Sequence, residues 1–190
     1  MIEQHFAALS AALGRLSAAA PKIDAWGRHL AEVAAAGGRL LACGNGGSAA
    51  EAQHLTGELV GKFLHDRPPM SAIALHADTS AGTAIVNDYG EQELFARQVR
   101  AHGRPGDVLM ALSTSGRSQN VCAAAKTAHE LGLTTWALTG PLPNRLAALC
   151  DDAIVVDAEH VATIQEAHLA IVHALCTVFD DVLGAGEAVA

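Results

Sequence analysis

Apolar residues change their spacing several times along this chain, and each change marks an element. Between Ile2 and Ala36 they recur at helical intervals, as at Phe6, Leu9, Leu13 and Leu16, with a break near Pro21. Two leading helices are predicted there. Short continuous apolar runs follow at Arg39–Cys43, Ala72–Leu75, Val108–Leu112, Thr134–Leu138 and Ala153–Val156, with helical patterns near 47–64, 91–101, 117–131, 144–149 and 161–183. Strands that are apolar throughout and alternate with helices predict a parallel sheet covered on both faces, because the crossover helices must pack somewhere. The expected fold is α/β, a three-layer sandwich with a five-stranded parallel sheet flanked by helices. Residues 1–190 are read as one domain, with 1–36 as a helical extension suited to an oligomer interface.

Ligands of such sheets gather at the carboxyl ends of the strands. Both Gly/Ser-rich loops, 44–48 and 113–118, fall at that end. The first, Gly44-Asn45-Gly46-Gly47-Ser48, follows an apolar run and leads into an Ala-rich helical segment. Glycines allow a sharp turn and close backbone approach, and the helix start offers free N–H groups and a positive dipole end, so the arrangement suits a phosphate. The second loop, Ser113-Thr114-Ser115-Gly116-Arg117-Ser118, sets four hydroxyls before another helix start, where one hydroxyl would suffice for a cap.

Net charge narrows the partners. The chain carries −8 with no cluster of Lys or Arg, which argues against nucleic-acid or anionic-membrane binding and leaves backbone amides as the source of positive potential. Cys43, Cys122, Cys150 and Cys176 are widely spaced within apolar patterns and lack CxxC pairing, as reduced thiols in a cytoplasmic protein do. Neither a leader segment nor an apolar run of about 18 residues is evident, so export and membrane spanning are not expected.

Read literally, Gly44, Gly46 and Ala49 also satisfy the dinucleotide pattern G-x-G-x-x-G/A. The acidic residue expected at the end of the second strand is out of place, Asp66 being too early and Asp78 too late. No Gly-Lys-Ser/Thr follows, which excludes a P-loop. His54 and Glu58, at i and i+4, project from one helix face beyond the first loop, and as a pair suit either a divalent metal or acid/base work. Gln165, Glu166, His168 and His173 share a later helix whose buried stripe includes Ile164, Ile171, Leu175 and Val178. His168 falls on that stripe and is read as a hydrogen-bonded core histidine. Gln165 and His173 stand ~80° apart around the helix and ~12 Å apart along it. Joining them in one site requires a long Gln side chain with a ligand between them, or a neighbouring subunit. Asn87-Asp88 either ends a helix or holds sugar hydroxyls.

Taken together, GNGGSAAEAQH with Glu58, Asn87-Asp88-Tyr89-Gly90, STSGRSQN and Ile164-Gln165-Glu166-Ala167-His168 resemble, in order along nearly the whole chain, the phosphoheptose isomerase family of single sugar-isomerase (SIS) domain proteins. The resemblance implies an isomerase that converts sedoheptulose 7-phosphate to D-glycero-D-manno-heptose 7-phosphate for nucleotide-activated heptose synthesis. It further implies that Asn45, Gly46, Gly47, Ser48, Ser113, Thr114, Ser115 and Ser118 hold the substrate, assisted by Glu58, Asn87, Asp88 and Gln165. By the same resemblance His54, Glu58, Gln165 and His173 are zinc positions, one Zn2+ per subunit, and Glu58 and His173 are the acid/base residues. A cytoplasmic homotetramer with shared sites is implied as well.

Three departures stand out: Lys62 where many relatives carry Arg, Pro141-Leu142-Pro143 in place of a Gly-rich turn, and Thr163 where a basic residue is common. A non-catalytic SIS protein that associates with a replication initiator is a competing expectation, but such a protein lacks the titrating pair that this chain retains. An isomerase or binder of another sugar phosphate is the third.

Overall fold

The computed structural model describes residues 1–184. Two helices lead, α1 (Ile2–Leu16) and α2 (Ala20–Ala35), separated by a short 3-10 turn at Ser17–Ala19. The break lies just before Pro21, which occupies the first turn of α2, where its missing N–H has no helical partner to lose. Five strands follow: β1 (Arg39–Cys43), β2 (Ser71–Ala74), β3 (Val108–Ser113), β4 (Thr134–Thr139) and β5 (Asp152–Val155). Between and after them run α3 (Gly47–Val60), α4 (Thr79–Tyr89), α5 (Glu93–His102), α6 (Gln119–Glu130), α7 (Arg145–Leu149) and α8 (Val161–Val182).

All five strands are parallel, in the order β2-β1-β3-β4-β5. Alternate residues divide the core. Leu40, Ala42, Val108, Met110, Leu112, Trp136 and Leu138 face one apolar cluster with α2, α3 and α8. Leu41, Cys43, Leu109, Ala111 and Ala137 face the other, with α5 and α6. A strand buried on both faces has no polar side to offer, which is why these segments read as unbroken apolar runs. The expected three-layer sandwich is the one observed.

Chain order reverses between β1 and β3, which are direct neighbours. Such a switch point opens a crevice at the carboxyl ends of the two strands. Both polar loops emerge there, from the ends of β1 and β3.

Most element bounds agree with expectation to within a residue or two, and the informative differences are these. The segment 47–64 is helical only to Val60, the chain leaving the helix at Gly61. Helix α6 begins at Gln119 rather than 117 because the hydroxyl loop extends through Ser118. Helix α4 is expected from sequence only as one alternative for the Asn87-Asp88 end, and its start is not, because its small, polar first turn and Gly82 blur the periodicity. The signal present was Asp78, whose carboxylate accepts the Ala81 N–H at 2.9 Å as an N-cap. Helix α8 is long and apolar enough to cross a membrane by length and composition, yet it packs against α1, α2 and α3.

Candidate active site

Residues of the first loop are placed by backbone geometry. Gly46 takes φ 55° and ψ −123°, a conformation open to glycine, and no side chain caps the helix that starts at Gly47. A methyl group on Gly47 would overlap the Gln165 amide, so the glycine is what lets α8 reach this loop. Asn45 and Asn120 exchange amide hydrogen bonds, each 2.9 Å, tying the loop to the first turn of α6.

In the second loop Ser113 Oγ lies 3.0 Å from Ser118 Oγ, and Ser115 Oγ accepts the Arg117 N–H at 3.2 Å. Ser118 is the N-cap residue of α6 but its hydroxyl makes no cap bond. It faces the loop instead, which is the arrangement a ligand-binding hydroxyl needs. Thr139 donates to the Ser113 carbonyl at 3.0 Å and so fixes the loop's base. Gly140 adjoins the Thr114 carbonyl where no Cβ would fit.

The titratable groups come from α3 and α8. His54 Nε2 stands 3.2 Å from Glu58 Oε1 and 2.9 Å from His173 Nε2. Among the described residues, these three are the one group of His, Cys, Asp or Glu whose ligand atoms all lie within 4.8 Å of one another. Their convergence joins positions 119 residues apart in sequence. The two imidazoles meet edge to face, and the Phe63 ring leans on His173 at 5.5 Å. Facing ring nitrogens 2.9 Å apart must share a proton, since two lone pairs would repel, unless a cation draws both. Two imidazole nitrogens and one carboxylate oxygen with solvent access are a donor set that suits Zn2+ and keeps a coordination position open.

An open cleft of about 580 Å³ runs along α3, lined by His54, Glu58, Lys62 and Gln53 among others. Lys62 thus brings a flexible point charge where a guanidinium fork would offer two directed donors. Cys176 is buried and lies outside the cluster of His54, Glu58 and His173. Burial, then the negative charges of Glu58 and Asp180, push its thiol up to about 12, so it stays protonated.

The other expected residues are distributed as follows. Gln165 is directed to the first loop, against Gly47. Asn87 donates to Asp88 Oδ1 at 2.7 Å at the end of α4, and it lines a second cleft with His76 and Asp78. That cleft is linked to the first through His76 Nε2, 3.3 Å from Gln53 Oε1. His168 is fully buried with Nε2 3.3 Å from the Thr139 carbonyl, as a core histidine should be, while Nδ1 faces Glu51 Oε2 at 3.7 Å with no hydrogen bond.

Comparison with known proteins settles the family. Residues 4–140 match the SIS domain family. Over 183 residues the chain is 59% identical to a phosphoheptose isomerase of Streptomyces coelicolor, covering 96% of this chain and 79% of that protein. The chain belongs to the phosphoheptose isomerase family. Solved phosphoheptose isomerases superpose closely. One from Francisella tularensis has a TM-score of 0.89 at 37% identity, over 95% of this chain and 96% of that one. Another from Neisseria gonorrhoeae has 0.86 at 40%, over 94% and 97%.

For a phosphoheptose isomerase fold, residues that sequence reasoning overlooked also matter. Asn120, Phe63, Arg67 and Asp180 each hold a site residue or its helix in place. Asn120 closes the STSGRSQN motif, whereas Phe63, Arg67 and Asp180 carry no local signature, since each acts through a contact distant in sequence.

Proposed function

We propose that this chain is an aldose–ketose isomerase that interconverts sedoheptulose 7-phosphate and D-glycero-D-manno-heptose 7-phosphate. The observation that carries the reading is the meeting of Glu58 and His173 through His54, beside a cleft, on a scaffold shared with phosphoheptose isomerases. The two strand-end loops, with Asn45, Gly46, Gly47, Ser48, Ser113, Thr114, Ser115 and Ser118, hold the phosphate through backbone amides and hydroxyls. Anchoring the tail there directs the carbonyl end of an extended seven-carbon sugar toward α3 and α8, with Gln165 of α8 and Asn87 and Asp88 at the end of α4 to hold its hydroxyls.

Glu58 then removes the C1 proton of the ketose, and its electron pair forms the C1–C2 double bond of an enediol. The C2 oxygen gains a proton from His173 as the C1 hydroxyl gives one up. Return of a proton to C2 leaves the aldehyde at C1. Protons leave C1 and its hydroxyl and are gained by the C2 oxygen and C2, two lost and two gained, so neither oxidant nor reductant is required. His54, Glu58 and His173 would hold a zinc ion, Gln165 joining them as the fourth position by turning away from Gly47, and the ion would supply Lewis-acid polarisation of the sugar's carbonyl when bound.

Ile2, Phe6 and Leu13 on α1, and Leu169 and Val182 on α8, are exposed apolar side chains that a self-associating surface would cover. A homotetramer working in the cytoplasm, with its four free cysteines reduced, fits these features. The test is a panel of ketose and aldose phosphates offered to purified protein, with metal content measured on the same sample. Turnover of sedoheptulose 7-phosphate in preference to hexose phosphates supports the reading. Binding without turnover indicates a sugar-phosphate binding module and refutes it.

A further inference from the structure

Beneath the candidate site lies a charged group that the isomerisation does not use. Arg67 is wholly buried and its Nε donates to Asp180 Oδ1 at 2.5 Å, the Asp180 side chain being 3% exposed. The rest of the guanidinium is spent on backbone carbonyls, two of them in α3. Nη2 donates to the Glu58 carbonyl at 2.7 Å, and Nη1 to the carbonyls of Leu59 at 3.0 Å and Pro68 at 3.3 Å. The other oxygen of Asp180 accepts the Leu64 N–H at 3.3 Å, and Arg67 Cζ lies 4.7 Å above the Phe179 ring.

Two of these acceptors belong to the last turn of α3, whose carbonyls lack helical partners and carry the negative end of the dipole. One of them is the carbonyl of Glu58 itself. Asp180, in turn, sits on α8 seven residues beyond His173, or roughly 10 Å along the helix. A single buried side chain therefore grips the residue read as the base on one helix and the helix that carries the acid on the other. A buried ion pair is a poor way to gain stability, because its desolvation offsets most of the attraction and apolar residues of similar volume do as well. Its directional bonds do something apolar packing cannot: they admit one register of α8 against α3.

We propose that Arg67 and Asp180 form a positioning brace that sets the register of α8 on α3 and so holds His173 opposite His54 and Glu58. This rests on the isomerase reading for its kinetic consequence, but not for its structural one. Lysine cannot replace the brace, since it has one nitrogen where the contacts need three.

Three full-length variants test it: Arg67→Lys, Asp180→Asn, and the double replacement Arg67→Met with Asp180→Leu. The single changes leave a buried group poorly paired and lower the melting temperature; the apolar pair restores it. With fold stability recovered, kcat of the double variant should stay depressed by at least about 10-fold while KM stays within about threefold, because the phosphate loops are untouched and a misplaced acid/base pair is sensitive to shifts near 1 Å. Titration with Co2+, followed by its visible absorption, should show metal binding weakened by a similar factor. A double variant with wild-type melting temperature and wild-type kcat overturns the proposal, for then the pair only stabilises. If the wild-type chain turns nothing over, the isomerase reading fails while the brace remains testable. Crystal structures of the wild type and the double variant then decide, and an unchanged His54–His173 separation in the double variant overturns it.

Discussion

Replacing Glu58 by Gln keeps the shape of the side chain and removes only its charge and basicity. The Glu58 side chain is 19% exposed and its partner His54 42%, so the contact between them is partly solvated and contributes at most about 1 kcal/mol to stability. A chain of this size should then lose no more than about 4 °C in melting temperature. The glutamine keeps the volume of the carboxylate beside His54, whose Nε2 still faces His173 Nε2 at 2.9 Å, so the cluster's packing is retained. Catalysis should suffer far more. Loss of a positioned general base removes about 10²- to 10⁴-fold, equivalent to roughly 3 to 5 kcal/mol of barrier. The assay is proton NMR of sedoheptulose 7-phosphate in D2O, which reports both aldose formation and exchange of the C1 hydrogen with solvent. Both rates should fall together, with melting temperature and metal content recorded on the same sample. A variant that exchanges C1 hydrogen within about tenfold of wild type refutes the assignment of Glu58 as the base.

Other outcomes follow from the same geometry. Ser118→Ala should leave stability within about 0.5 kcal/mol, less than the ~1 kcal/mol of a true cap, while raising KM for the phosphorylated substrate; thermal melts and steady-state kinetics check this, and a large stability loss with normal KM would reverse the reading. Gly47→Ala should keep or slightly raise stability, alanine being the better helix former, yet lower kcat/KM at least about tenfold by displacing the Gln165 amide. Unchanged kinetics in that variant would remove Gln165 from the site. Asp152 bears on stability alone. Burial pushes its carboxyl up, but hydrogen bonds from Lys22 at 2.5 Å, from Trp26 at 3.0 Å and from the Ala153 N–H outweigh this and hold it below the usual carboxylate range. A depressed folded pKa stabilises above the unfolded value near 3.9 and ceases to do so as pH falls through the folded one. Melting curves of Asp152→Asn should therefore lie a few degrees below wild type at pH 7, for a loss of at most about 1 kcal/mol, and converge with it once pH has fallen through the folded carboxyl's lowered range.

Helix-period and strand-period patterns are local, and local information was sufficient for the order of elements, for a sheet buried on both faces, and for the two Gly/Ser-rich loops at strand ends. It was sufficient too for His54 and Glu58, because residues four apart share a helix face whatever the helix packs against. Where periodicity is weak, as in Thr79–Tyr89, even a local element escapes unless its cap is noticed. Folding decided the remainder. That β1 lies beside β3, so that the two loops share one crevice, depends on sheet order rather than on any segment's own preference. That His173 meets His54, while Gln165 reaches Gly47, depends on how far α8 slides along α3. Sliding one helix past another leaves every residue's own propensity unchanged, so no pattern along the chain can encode it; only packed side chains and directed bonds between helices distinguish one register from the next.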